Sequence, residues 1–258
     1  MAVPPSTKNT PLPLFKSHYS FGKSIITLAD LPKAGEEDPD GPVSVFQLAK
    51  SAGMDKILLV EDSFAGFPEA QKVAAKNGIQ LIFGLSFYLN SCSNGAVSKV
   101  CLIARNSDGM DELKRIYSAA HSKTDPSIDP SDLQNRDNLL VAFPFYGSFI
   151  ARNLLNFETH IVSTASIKHC VFLVEDNEHP FDVLIRPRVE EYCVANGHSV
   201  QQTKTILYEK RNDFDAMVVF RIEAGESKSH GKPSTIDTPN LDHFASDAFC
   251  WESYVASV

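Results

Sequence analysis

The chain is 258 residues long, 43% apolar and 22% charged, with 13 glycines, 15 prolines and 10% aromatics. That profile excludes collagen, coiled coil and wholesale disorder, and a single domain of this length hides about three quarters of the surface its unfolded chain exposes. Lysine and arginine number 24 against 32 acidic residues, a net charge of −8 that disfavours sequence-independent attraction to nucleic-acid phosphates.

No apolar run approaches the roughly 18 residues of a membrane span, and MAVPPSTKNTPLP lacks the apolar stretch of a secretory signal, so a soluble, cytoplasmic protein is expected. Cys92, Cys101, Cys170, Cys193 and Cys250 are odd in number and contain no C-x-x-C, so they read as reduced, mostly buried small hydrophobes. Residues 1–13, rich in Pro, Ser and Thr, read as a flexible tail, and residues 14–258 as one domain. Residues 32–42 (PKAGEEDPDGP) read as an exposed acidic loop and residues 226–239 (ESKSHGKPSTIDTP) as a second surface loop.

Between these loops the pattern alternates. Residues 45–49 have helical spacing, with Ser44 as N-cap and Gly53 as stop, and residues 56–60 form the continuous apolar run of a strand buried on both faces. Pro68 opens a helix over 69–76 that Gly78 ends, and residues 79–83 read as a second strand closed by Gly84. A strand over 97–104 and a helix over 109–121 follow, the latter with one apolar stripe of Leu113, Ile116, Tyr117 and Ala120. Then come a strand at 139–143, a helix at 148–155, strands near 160–162 and 170–174, a long helix at 181–195, a strand at 203–208 and a helix at 213–222. Six or seven strands interleaved with helices predict an α/β protein, either a barrel or a doubly wound sheet.

Named catalytic signatures are absent. Gly22-Lys23-Ser24 is similar to the end of a phosphate loop, but Ser17 stands where the loop's first glycine belongs. In α/β proteins chemistry gathers at the carboxyl ends of strands, which here offer Lys16, Ser17, His18, Glu61, Asp62, Ser86, Phe145, Tyr146, Tyr208 and Glu209. Only His18, Glu61 and Asp62 have the donor chemistry of a metal site, and a solvated strand-end cluster is the preferred reading of them. His169 and Cys170 are sequential and point to opposite faces of any strand, while His160, His179 and His198 read as structural or solvated.

Several stretches resemble one family in order. Ser17-His18-Tyr19-Ser20 is similar to the family's H-S-x-Y-S opening, and residues 45–89 to its helix, "ALTDHGN" strand, helix and "PIIGCE-Y" strand. CLIARNSDGMDELKRIYSAAH resembles the "LLAKNEEGYKNL" region and DPSIDPSDL the "KPRID-ELL" turn. Residues 203–208 fall at "TNDVHY", and residues 239–247 at the closing "PNMEHFSSNEF". The family is the PHP (polymerase and histidinol phosphatase) domain, most closely the N-terminal PHP module of bacterial replicative DNA polymerase III alpha subunits. The resemblance implies a distorted seven-stranded (β/α) barrel with a metal cluster at its strand carboxyl ends.

The same correspondence implies that the metal ligands are lost. The family's H-x-H falls on Leu14 and Lys16, its Asp-His on Val60 and Glu61, its Glu on Ser86, its Cys near Phe145, and its last Asp and His on Thr205 and Leu207. His121 alone lies near a family histidine. Leu14, Val60 and Leu207 are expected to make the pocket apolar, and a lysine facing it would repel a metal cluster. The resemblance thus implies a metal-free docking module in a polymerase III alpha-like replication system, whose partners are the polymerase core and a proofreading exonuclease. Residues 36–40 and the aromatic segment 244–254 are its candidate contact surfaces. The rival expectation is a Zn-, Mn- or Fe-dependent phosphoesterase or 3′-5′ exonuclease, with a remodelled site of His18, Glu61, Asp62, His121 and Glu209. It requires those side chains to converge on one point.

Overall fold

The computed structural model describes residues 10–32, 41–93, 95–228 and 246–258. Seven strands close into a barrel in sequence order: β1 (Leu12–Phe15), β2 (Lys56–Glu61), β3 (Gln80–Asn90), β4 (Val97–Ala104), β5 (Leu139–Phe143), β6 (Cys170–Val174) and β7 (Ser199–Ile206). Around them lie α1 (Val45–Ser51), α2 (Phe67–Lys76), α3 (Ser107–His121), α4 (Phe149–Leu155), α5 (Asp182–Asn196), α6 (Phe214–Lys228) and α7 (Trp251–Ser257). The residues expected to begin α1 do so through a reciprocal cap. Ser44 Oγ accepts the Gln47 amide at 3.1 Å, and Gln47 Oε1 accepts the Ser44 amide at 2.8 Å. Ser44→Ala is expected to cost about 1 kcal/mol, read as a lower denaturant midpoint at unchanged slope.

The barrel is distorted by one reversed strand. β4 runs antiparallel to both β3 and β5, whereas all other neighbours, including the closing β1–β7 pair, are parallel. The strand expected to stop at Gly84 instead continues to Asn90, because Gly84 serves a close approach: a Cβ there would lie 2.8 Å from Ile103 Cγ1 and 3.0 Å from the Leu102 carbonyl oxygen. β3 and β4 consequently form a long hairpin with no crossover helix.

Three other expectations change. β1 starts at Leu12, so Leu12 and Pro13, read as tail, pair with Thr203 and Lys204. The strand expected near residue 160 is a lone bridge between Cys92 and His160. His160 is held there by Ser91 at 2.9 Å and Glu158 at 2.6 Å, a structural role consistent with its burial. The aromatic carboxyl-terminal segment is packed inward: Trp251 stacks on Phe15 with ring centroids 5.8 Å apart, and Phe249 and Tyr254 are buried. Phe244, the acidic residues 36–40 and the residues 239–245 lie outside the described residues; residues 226–228, expected as loop, continue α6.

Two apolar assemblies follow from strand alternation. Leu14, Leu58, Val60, Cys101, Ile103, Ala142 and Leu173 fill the barrel interior. The opposite faces of the same strands, with Phe15, Leu59, Phe143 and Phe172 among them, pack against the helices. All five cysteines are free, and Cys101, Cys193 and Cys250 are buried. No helix among the described residues is long and apolar enough to cross a membrane.

Candidate functional site at the barrel mouth

Alternation decides which strand-end residues reach the mouth. Leu14 and Val60 face the interior, so Lys16 and Asp62, two residues further along β1 and β2, continue the same faces. Lys16 Nζ donates to the Val60 carbonyl oxygen at 3.0 Å and sits 3.3 Å from Asp62 Oδ1. Lys23, from the loop after β1, sits 2.7 Å from Asp62 Oδ2. One carboxylate is therefore held between two ammonium groups.

The titration of these groups follows from that arrangement. Burial opposes ionisation of Asp62, but Lys16 and then Lys23 hold its carboxyl far below the usual carboxylate range. Burial likewise works against charge on Lys16, yet Asp62 and then Glu61 keep its ammonium above the ordinary lysine value. Lys23 moves the other way. Burial lowers it, Asp62 pulls it up, and repulsion from Lys16 and Lys99 helps leave it below the ordinary value.

β3 and β4 complete the rim. Ser86 pairs in register with Cys101, and Tyr88 with Lys99, on the faces that begin inside the barrel at Ile82 and Ile103. Burial pushes the Cys101 thiol up, against the opposing field of Lys16 and a hydrogen bond with Ser86. A cavity of about 430 Å³ opens here, lined among others by Lys23, Asp62, Ser86, Lys99, Phe21 and Tyr88. Phe21 and Tyr88 are 47% and 49% exposed.

The expected site residues divide among several places. Glu61 does not face the mouth: it points outward, fully buried, and accepts the Ser17 amide at 2.9 Å and the Ser20 hydroxyl at 2.5 Å. Its neighbour Asp62 holds the interior position, as strand alternation requires. His121 lines the same cavity as Asp62 from the end of α3, with Nδ1 3.0 Å from the Tyr117 carbonyl oxygen. His18 packs on the Tyr19 ring, with its buried Nδ1 lacking a hydrogen-bond partner. Glu209 lies beyond β7, 3.9 Å from Lys210. Of the five alternative ligands, two share a cavity and three do not join them.

The other correspondences also resolve. Leu14 and Val60 are interior and apolar, as expected, whereas Leu207 and Phe145 belong to the outer layer between strands and helices. Thr205 points inward and donates both its amide and its hydroxyl, at 2.9 Å each, to Glu175. Glu175, one residue past β6, is a mouth residue that sequence reasoning overlooked; the inward parity of Val171 and Leu173 was the available signal. Burial pushes its carboxyl up, against hydrogen bonds from Thr205 and Asn177. Lys99 was overlooked because it lies at the beginning of a strand, and only the reversal of β4 brings that end to the mouth.

Among the described residues, no three His, Cys, Asp or Glu side chains converge as metal ligands. Around Asp62 the groups are ammoniums, a hydroxyl and a protonated thiol, and this donor set does not fit a cluster of divalent cations.

Residues 40–159 match the family model of the PHP domain, just under half of the chain, spanning α1 to α4. The closed seven-stranded barrel with alternating helices is consistent with a PHP-type (β/α) barrel. No curated protein matches the sequence.

Proposed function

We propose that this PHP-type barrel is a metal-free structural and docking module of a DNA polymerase III alpha-like replication system, not a phosphoesterase. The observation that carries the reading is the Lys16–Asp62–Lys23 arrangement. Two ammonium groups stand where metal chemistry would need several deprotonated ligands, and each would repel a divalent ion. A docking role needs an accessible apolar face: Ile161, 75% exposed, lines a groove with Phe149, Ile150, Leu154 and Tyr192, and Phe157, four residues earlier in the chain, is 91% exposed. The partner assigned to that face is the polymerase core or its proofreading exonuclease.

The test pairs metal analysis with binding. Protein expressed with Zn, Mn and Fe supplied should carry near-zero metal by mass spectrometry and should not hydrolyse phosphodiester model substrates. The polymerase core or exonuclease from the same source should bind the chain, and Ile161→Ser with Phe157→Ser should weaken that binding. Stoichiometric tightly bound metal with phosphodiester hydrolysis would overturn the reading, as would the absence of binding to either protein.

A further inference from the structure

α5 is apolar on two sides. Its inward residues Ile185, Val189 and Cys193 are buried. Val183, Leu184 and Val194 are nonetheless 75%, 51% and 86% exposed among the described residues, and Pro187 is exposed between them. A helix on the surface of a barrel needs only one apolar face. α3, also 15 residues long, meets that expectation: its exposed positions include Asp108, Asp111, Lys114, Arg115 and Ser118. At about 100° of rotation per residue, Val183, Pro187 and Val194 fall within about 40° of one another on the outward side of α5, with Leu184 and Glu191 beside them.

The order of residues along that stripe indicates what covers it. Apolar residues stand at both ends, Val183 and Leu184 in the first turn and Val194 in the last, and an ion pair of Arg188 with Glu191 at 3.0 Å stands between them. We propose that the outward face of α5 is the contact surface for a second copy of this chain, the two α5 helices packing antiparallel about a two-fold axis close to Val189. Such a contact must be self-complementary, and this stripe is. The axis lays Val183 and Leu184 of each copy over Val194 of the other, and it brings Arg188 of each within reach of Glu191 of the other. Parallel packing would instead set Arg188 against Arg188 and align the helix dipoles unfavourably. Copies of a chain carrying −8 repel one another, whereas an ion pair exchanged across the axis adds no like charge. Glu190, also exposed, turns to the flank opposite Arg188. A contact made by about 22 Å of helix is at the small end of specific interfaces, so a dissociation constant of about 10 to 100 µM is expected. This inference does not rest on the docking reading: Val183, Leu184, Pro187 and Val194 do not line the groove at Ile161, which α5 borders through Arg188 and Tyr192.

The experiment is sedimentation equilibrium of the full chain from about 1 to about 500 µM, a range that brackets the expected dissociation constant. Wild type should follow a monomer–dimer equilibrium. Val194→Asp and, independently, Leu184→Asp place a carboxylate in the apolar contact and should each weaken the dimer about tenfold or more. Arg188→Glu and Glu191→Arg each set like charges across the axis, so each chain alone should remain monomeric. An equimolar mixture of the two should associate, because every 188–191 contact between unlike chains then joins opposite charges. No effect confined to one helix produces that rescue. Circular dichroism melts establish that each variant is folded, and the exposed Val194 position provides the readout if a charge variant is not. A monomer at every concentration, a dimer that Val194→Asp leaves unchanged, or a mixture of folded Arg188→Glu and Glu191→Arg chains that stays monomeric would overturn the interface. Loss of partner docking with the dimer intact would count against the docking reading alone, and docking without a dimer against the dimer alone.

Discussion

Asp62→Asn is expected to destabilise the barrel by about 4 kcal/mol, because it removes one partner from a buried ionic group and leaves two ammoniums facing each other. Asparagine keeps the size of the side chain and one acceptor oxygen, so the effect isolates the charge. Lys16, whose side chain is only 12% exposed, suffers most. Adding Lys16→Met to Asp62→Asn should recover part of the loss, since the uncompensated buried charge is then gone. Equilibrium unfolding in urea reads all three states. A change below 1 kcal/mol for Asp62→Asn would mean that water screens the pair and that the mouth is far more open than its geometry indicates.

The same group sets an acid dependence. Asp62 is depressed in the folded chain, so its stabilising contribution is complete above its unfolded value of about 3.9 and is lost as pH falls below it toward the folded value. Wild-type stability should therefore fall more steeply below about pH 4 than that of Asp62→Asn, which has no such proton to take up. Parallel acid titrations followed by tryptophan fluorescence would show the difference, since Trp251 is packed on Phe15 of β1.

Gly109→Ala is the second large effect, with an expected loss of about 3 kcal/mol. Gly109 lies in the first turn of α3, and its amide is capped by Asn106 Oδ1 at 2.8 Å. A Cβ added there would lie 2.2 Å from the Asn138 carbonyl oxygen, an atom of rigid backbone that also accepts the Arg105 amide at 3.0 Å. Relief of the clash must move the start of α3 away from the approach to β5 and strain the Asn106–Asn138 side-chain bond of 2.9 Å. On helix propensity alone, alanine would be the better residue by nearly 1 kcal/mol. The sign of the measured change thus decides between local preference and tertiary contact. Ser118→Ala, exposed on the same helix, should stay within about 0.5 kcal/mol of wild type.

Helices and strands with strong period or continuous apolar runs were legible in the sequence. β4, β5 and β6 were expected at 97–104, 139–143 and 170–174 and occupy those residues. Lys16, Ser17 and His18 were read as strand-end residues, but the bounds of β1 were not legible, because Leu12–Phe15 contains a proline and follows a polar stretch, so only its pairing with β2 and β7 defines it. α7 was missed because seven residues hold too little periodicity to stand out. Gly84 was misread because a glycine looks the same whether it ends a strand or admits a neighbour. At the mouth, Lys16 and Asp62 were legible as strand-end residues. Their partner Lys23 comes from a loop and Lys99 from a reversed strand, and no local pattern encodes either position.

The order of strands around the barrel also carries a consequence for how the chain reaches it. β3 and β4 are separated by only six residues and pair over seven register positions, so their association costs little loop-closure entropy and can form early. β1 must find β7 across nearly the whole chain, in four pairs from Leu12–Thr203 to Phe15–Ile206. Such a distant parallel pairing is slow to form, and until it does β2 and β7 present open edges able to pair with another copy. The four residues of β1 thus work as a latch. The ring becomes edgeless only when they arrive, and a chain that loses them is left as a template for aggregation.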